Sequence, residues 1–323
     1  MRAIAITGHL QAAVVEVPDL ANPLGPDEIR GSTVASLVSP GTELNYAFLS
    51  KEDFPKFTGY AAIFRVTEVG SGVTDLPVGA LVFSTGGHRE YQQAARKDVV
   101  PLPESVDPKE AVFARLAGVS MSTLSTTGAR PPCRVLVTGL GPVGNLAAQI
   151  FARCGYQVTA VDPVDRRRDI ARSSGLTDVR ATLGEGPVDL TDKVMLHMDC
   201  SGHEKAVLEG INSVRKGGEV VLVATPWKRY TELFAFDLLR AVFFRYAVLR
   251  SGWEWQVPGQ PVDFAGNSII ENLAEAIQWI ASGKIKVEGL AGTYAPGEVQ
   301  KVYQGLLNQS LPTPAAVFDW QKG

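Results

Sequence analysis

The stretch VLVTGLGPVG, residues 135–144, constrains this chain more than any other. A β-branched run stops at Gly139, and Gly141 and Gly144 follow at fixed offsets. That pattern suits a strand turning sharply into a helix. Gly139 allows the tight turn, Gly141 lets backbone approach a pyrophosphate, and Gly144 lets the helix pack on the strand. The helix start, with Leu140, Pro142 and Val143 between the glycines, then offers N–H groups to phosphate oxygens. The next strand-like run, QVTAVD, ends in Asp162, 18 residues past Gly144. A carboxylate there accepts hydrogen bonds from both hydroxyls of an adenosine ribose and repels a 2′-phosphate, which favours NAD(H) over NADP(H). Arg166, Arg167 and Arg168 bear on the same choice. One of them could reach a 2′-phosphate, but a solvated helix face is the preferred reading beside Asp162.

The surrounding pattern supports the turn. From residue 1 to about 115 the runs are short and β-like, as in AAVVEVPDL, EIRGSTVASLV, AIFRVTEVG and ALVFSTGG, and suggest a small barrel or sandwich. AVFARLAGVSMSTLSTTG reads as one helix ended by Gly128. Strand and helix then alternate, which implies βαβ units and a parallel sheet. CRVLVTGL, QVTAVD, KVMLHMDCSG, EVVLVATP and YAVLRSG are the strands. PVGNLAAQIFARCG is a helix closed by Gly155. PVDRRRDIARSSG is a helix with Pro163 in its first turn. HEKAVLEGINSVRKGG and TELFAFDLLRAVFF are also helical. A linker, QVPGQPVDFAG, leads to the helix IIENLAEAIQWIASG and to a tail with a strand, a helix and an edge strand.

A chain of 323 residues exceeds one comfortable core, so two domains are expected. With 31 basic and 34 acidic residues, it presents no field to attract nucleic acid or an anionic membrane. Cys133, Cys154 and Cys200 are odd in number and widely spaced, which is no disulfide framework and no metal-ligand pattern. MRAIAITGHL does not read as a signal peptide, and no apolar run is long enough to span a bilayer. A reducing cytoplasm is the expected compartment.

A β-rich first segment, a dinucleotide-type middle and a short return resemble the medium-chain dehydrogenase/reductase family. GLGPVG, the D-C-S-G at Asp199–Gly202 and KGGEVVLVA at Lys216–Ala224 resemble its alcohol, sorbitol and threonine dehydrogenase side. The resemblance implies an α/β fold with a GroES-like β-rich catalytic domain over 1–115. A Rossmann domain with a parallel six-stranded sheet would follow over 116–253, with a return to the first domain over 254–323. It also implies that Cys200, Ala224 and Thr225 join the glycine run in holding the cofactor, and that the chain forms a homodimer through the Rossmann domain.

That side of the family carries catalytic zinc, and here the donors are missing. Pro40 of SPGTE stands for the first ligand, Tyr60 and Ala61 replace the usual His-Glu pair, and Ala114 or a neighbour stands for the third ligand. Proline and alanine side chains cannot ligate, so no zinc is expected. S-P-G-T-E, G-Y and G-H-R-E-Y resemble a zinc-less branch that includes bacteriochlorophyllide a dehydrogenase.

Without zinc, hydrogen-bonding groups must meet a developing alkoxide. The resemblance puts Thr42, Glu43, Tyr60 and His88 in segments that face the cofactor. Tyr60 is either a donor to a carbonyl or a ring packed in the emptied pocket. Thr42 is a relay hydroxyl or a turn cap. Glu43 is a base or the partner of an arginine. His88 is a titrating group or an ordinary polar contact. Trp227 and Trp253 are candidates for stacking on a substrate ring, or for packing at a hinge together with Trp255. Arg250 and Lys228 could hold an anionic group. His197 reads as core, and His9 and His203 as surface or cap residues. The favoured function is zinc-independent hydride transfer between NAD(H) and a secondary alcohol or ketone, of polyol, sugar-like or larger natural-product type. Reduction of C=C bonds with NADPH, or nucleotide binding without turnover, are the alternatives.

Overall fold

The structure is a computed structural model that describes residues 1–20, 23–186 and 188–322. It divides into two compact units. Met1–Arg115, Leu273–Gly283 and Val287–Gly323 form one, and Leu116–Asn272 with Lys284–Lys286 form the other. The chain rejoins the first unit at Leu273, later than the expected 254 boundary. The intervening linker is tied to the second unit, where Asn267 donates to Ser125 Oγ and Asn272 to Ser122 Oγ.

The second unit is built on a sheet that, among the described residues, has six parallel strands. Their spatial order is Val179–Arg180, Gln157–Val161, Arg134–Thr138, Val194–Asp199, Val214–Leu222, Val248–Ser251. The chain works outward from Arg134–Thr138 in one direction and then crosses to fill the other side, the order of a Rossmann sheet. Val135, Leu136 and Val137 are fully buried, as a strand covered on both faces requires. The order reverses between Arg134–Thr138 and Val194–Asp199, and the carboxyl ends of strands at such a reversal form the ligand crevice of open α/β sheets. Gly139 and Cys200 directly follow these two strands.

Several local expectations are corrected. Pro163 lies ahead of its helix, which runs Asp165–Ser173, because Asp162 Oδ1 accepts from Val164 N at 2.8 Å and keeps Val164 extended. The stretch after Ser213 does not stay helical: the helix Glu204–Ser213 ends, and Val214, fully buried, already pairs with Val194. The single helix expected from Ala111 is two helices, Pro108–Ala111 and Ala114–Thr126, broken where Val112 and Phe113 enter the core.

The first unit contains a sheet in the order Ala291–Tyr294, Ala315–Asp319, Glu28–Val38, Ala62–Val69, Leu81–Ser84, Val100–Pro101, with Tyr91–Ala95 also paired to Glu28–Val38. The expected edge strand at the tail is interior instead. Ala315–Asp319 pairs on both sides, and all five of its residues are buried. A smaller sheet joins Gln11–Glu16, Arg2–Gly8 and Lys56–Phe57. Ile4, Ile6, Val38, Phe48, Val302, Tyr303 and Phe318 form a core between these sheets and the helix Val299–Leu307.

Candidate active site

Ser39 follows the buried end of Glu28–Val38 and precedes the short helix Pro40–Glu43, which Pro40 opens. The Glu43 carboxylate is buried, and its Oε1 accepts from Ser39 N at 2.7 Å. Its Oε2 accepts from Tyr303 Oη at 2.5 Å and lies 3.1 Å from His88 Nε2. His88 is also buried, with Nδ1 2.8 Å from Ser36 Oγ, which accepts from Trp320 Nε1 at 2.9 Å. Thr58 Oγ1 is 2.8 Å from Tyr303 Oη. One donor order satisfies this whole set. Trp320 donates to Ser36, Ser36 to His88 Nδ1 and His88 Nε2–H to Glu43, while Thr58 donates to Tyr303 and Tyr303 to Glu43. Burial and the Glu43 charge push the Tyr303 phenol well above the usual range, so it stays a donor.

The structure therefore separates the four polar candidates into two pairs. Glu43 and His88 meet, but their polar atoms are spent on each other and on the core. Glu43 meets Ser39 N, Tyr303 and His88, and no arginine is among these partners. Thr42 and Tyr60 remain partly exposed, with Tyr60 Oη 3.5 Å from Thr42 Oγ1. The Arg115 guanidinium lies over the Tyr60 ring, 4.7 Å from its centroid. Burial pushes the Tyr60 phenol up, while contacts with Ser39 and Thr42 and the charge of Arg115 pull it back. Sequence reading missed Ser36, Thr58, Arg115, Tyr303 and Trp320. Tyr303 meets Glu43 across a separation of 260 residues, and no local pattern announces such a contact.

The zinc expected of relatives meets an unsuitable donor set. Pro40 and Ala114 carry no ligand atom, and among the described residues no three His, Cys, Asp or Glu side chains gather as a metal ion needs.

A dinucleotide meets a suitable one. Gly139 has φ +83°, and a Cβ there would strike the backbone of Ser201. A Cβ on Gly144 would lie 1.8 Å from Gly139 O, whereas one on Gly141 would meet open space. Gly139 and Gly144 thus close the turn, and Gly141 leaves its outer side clear for a phosphate. The Pro142–Arg153 helix starts there, with Leu140 and Val143 flanking Pro142. Asp162 sits beside this turn, its Oδ2 accepting from Leu140 N at 2.7 Å and lying 3.4 Å from an Arg167 nitrogen. Arg168 is turned inward to Asp162 O, so the three arginines are not one solvated face.

Cys200 packs beneath Gly144, and burial raises its thiol pKa. Asp199 clasps the same loop, accepting from Thr138 Oγ1, Ser201 N and Gly202 N. Its carbonyl accepts from Val223 N and Ala224 N at 2.9 Å, which carries Ala224 and Thr225 to the same strand ends. Trp227, Trp253 and Trp255 are exposed. Arg250 is committed to Glu219, Gln256 and Thr126, and Lys228 lies over Tyr230. His203 caps its helix, and His197 is in the core.

Residues 142–253 match a family described as zinc-binding dehydrogenase, a span that contains none of Pro40, Tyr60 or Ala114. The chain is 32% identical over 146 residues to an alcohol dehydrogenase of Geobacillus stearothermophilus, covering 44% of this chain and 43% of that one. It is 30% identical over 206 residues to the D-guloside 3-dehydrogenase of Escherichia coli (strain K12), covering 60% and 58%. The match thus spans about half the length of these curated relatives. The crystal structure of galactitol-1-phosphate dehydrogenase from Escherichia coli superposes with a TM-score of 0.80 over 99% of this chain and 100% of that one, at 17% identity. Fold and site together define a GroES-like β-rich unit joined to a Rossmann unit. Over residues 142–253 the chain is similar to zinc-binding dehydrogenases, and its fold is that of the galactitol-1-phosphate dehydrogenase structure.

Proposed function

We propose that this protein is a zinc-independent oxidoreductase that transfers hydride between NAD(H) and a secondary alcohol or ketone, of polyol or sugar type. The observation that carries this reading is the glycine turn with Asp162 held against Leu140 N. It offers a phosphate seat and a carboxylate at one place, which is what an adenosine dinucleotide without a 2′-phosphate requires. Bound there, the nicotinamide supplies or accepts hydride. The name of the D-guloside 3-dehydrogenase supports a sugar hydroxyl as the reacting group. Tyr60 and Thr42, the partly exposed pair, are the residues to hydrogen-bond the reacting oxygen. Glu43 and His88 hold the turn that presents Thr42. Arg167 beside Asp162 keeps an NADPH-dependent reductase as the second reading.

The three cysteines are free, in keeping with a reducing cytoplasm, and among the described residues no helix is long and apolar enough to cross a membrane. We also propose a homodimer through the Rossmann unit. Val248–Ser251 ends the sheet, and the neighbouring helix Ala235–Arg245 leaves Phe236, Leu239 and Phe243 exposed. A second copy related by a two-fold axis would pair that strand with itself and cover these side chains.

The reading is tested by titrating NADH and NADPH and then measuring NADH oxidation with a panel of ketoses and alkyl ketones. Elemental analysis and chelator treatment go alongside. Turnover that survives chelation, with no stoichiometric zinc, is the expected result. One tightly held zinc per chain, lost together with activity, defeats it.

A further inference from the structure

The Arg115–Tyr60 stack has a chemistry of its own. Arg115 is buried to 8% exposure, its guanidinium carbon 4.7 Å from the Tyr60 centroid, inside the range in which a cation and a ring face attract. Tyr60 is partly exposed, and one face of its ring covers the charge. Tyr60 Oη donates to Thr42 Oγ1 at 3.5 Å, the outer limit of a hydrogen bond, and also meets the Ser39 side chain, so both hydroxyls border its proton. A buried guanidinium against a phenol favours the phenolate over the same ring in an apolar wall.

We propose that Arg115 is a positioning residue that tunes Tyr60 to deliver a proton to the substrate's carbonyl oxygen. The proposal rests on the hydride-transfer reading above. In the reducing direction a hydride from NADH forms the new C–H bond, and the C=O π pair moves to oxygen. That oxygen takes the Tyr60 proton, the phenolic O–H bond breaks, and NAD⁺ and the alcohol leave. The phenolate beside Arg115 recovers its proton from solvent through the Thr42 hydroxyl. In the oxidising direction each transfer runs in reverse.

The guanidinium thereby supplies fixed positive charge beside the Tyr60 ring. Glu43 faces the same region and opposes the effect, since its charge raises the Tyr60 phenol. Its Oε2 is already satisfied by Tyr303 and His88, which spreads that charge into the core.

Arg115→Gln, Arg115→Lys and Tyr60→Phe test this. Two readouts are needed: NADH oxidation with the ketone panel across pH, and the ring-carbon NMR resonance of Tyr60, assigned by its disappearance in Tyr60→Phe. We expect Arg115→Gln to lower kcat by roughly 10²-fold with NADH affinity unchanged. The alkaline limb of the profile and the onset of Tyr60 ionisation should both rise by about one pH unit. Arg115→Lys should recover part of both, and it keeps the test open should the glutamine variant fail to fold. A folded Arg115→Gln or Arg115→Lys chain whose Tyr60 ionises as in the wild type overturns the proposal. If wild type oxidises no NADH with any ketone, the hydride-transfer reading itself fails and takes the proton-delivery role with it. An active wild type with unmoved Tyr60 ionisation in the variants sinks the Arg115 role alone.

Discussion

His88 Nε2 lies 3.1 Å from Glu43 Oε2, and the two residues, 45 apart in sequence, are both buried. The contact ties the helix carrying Thr42 to the loop after Gly87. Removing either group leaves a buried donor or acceptor without its partner. Glu43→Gln should therefore destabilise by about 1–3 kcal/mol, because an amide N–H₂ would face donors on Tyr303 or His88. His88→Asn should cost a similar amount. Chemical denaturation measures both. Variants as stable as the wild type would mean that the network is not holding the turn.

Asp162 should set cofactor choice. NADH is expected to bind at least about tenfold more tightly than NADPH, the carboxylate repelling a 2′-phosphate. Asp162→Asn should narrow that ratio, since the amide keeps the shape but loses the charge. Arg167→Ala should weaken whatever NADPH binding exists. Fluorescence titration of the reduced cofactors reads all three. Tighter NADPH binding to the wild type would promote the reductase reading.

His197 should impose a pH dependence on stability. Burial lowers its pKa from 6.5 to about 4, against the pull of Asp199. It stays neutral in the fold while the unfolded chain takes up a proton below 6.5. Its contribution is thus complete above pH 6.5 and is lost progressively as pH falls to about 4, a change of up to roughly 3 kcal/mol. His197→Gln should flatten the difference in unfolding free energy across that window. A variant that parallels the wild type from pH 7 to pH 4 would show that His197 already titrates normally in the fold.

The exposed face of Ala235–Arg245 should be buried in solution. Light scattering is expected to give twice the 34.6 kDa chain mass. Leu239→Glu with Phe243→Glu should shift the mass to one chain while leaving NADH affinity in place, because neither residue borders the glycine turn. A wild-type monomer at micromolar concentration removes the dimer and leaves that apolar face to another role.

Much of this protein was written locally. The glycines at 139, 141 and 144 stand in one turn, the alternation of strands and helices over the second unit is periodic, and Asp162 ends a strand. Features whose cause lies within some ten to thirty neighbouring residues can be seen in a string. The missing zinc donors were equally visible, because proline and alanine lack ligand atoms in any fold. What the string could not reveal was which polar groups keep a face to solvent. Thr42 and Glu43 are adjacent in sequence, yet one stays partly exposed and the other is sealed beneath Tyr303, because successive residues of a helical turn point in different directions. The partners that sealed it, Tyr303, Trp320 and Ser36, come from a distant helix, the chain end and an interior strand. Their meeting depends on the Ala315–Asp319 strand lying inside the sheet, a pairing choice settled by burial of the whole strand and not by its own residues. Arg115 over Tyr60 is the same kind of result: two ordinary residues made into a unit by packing alone.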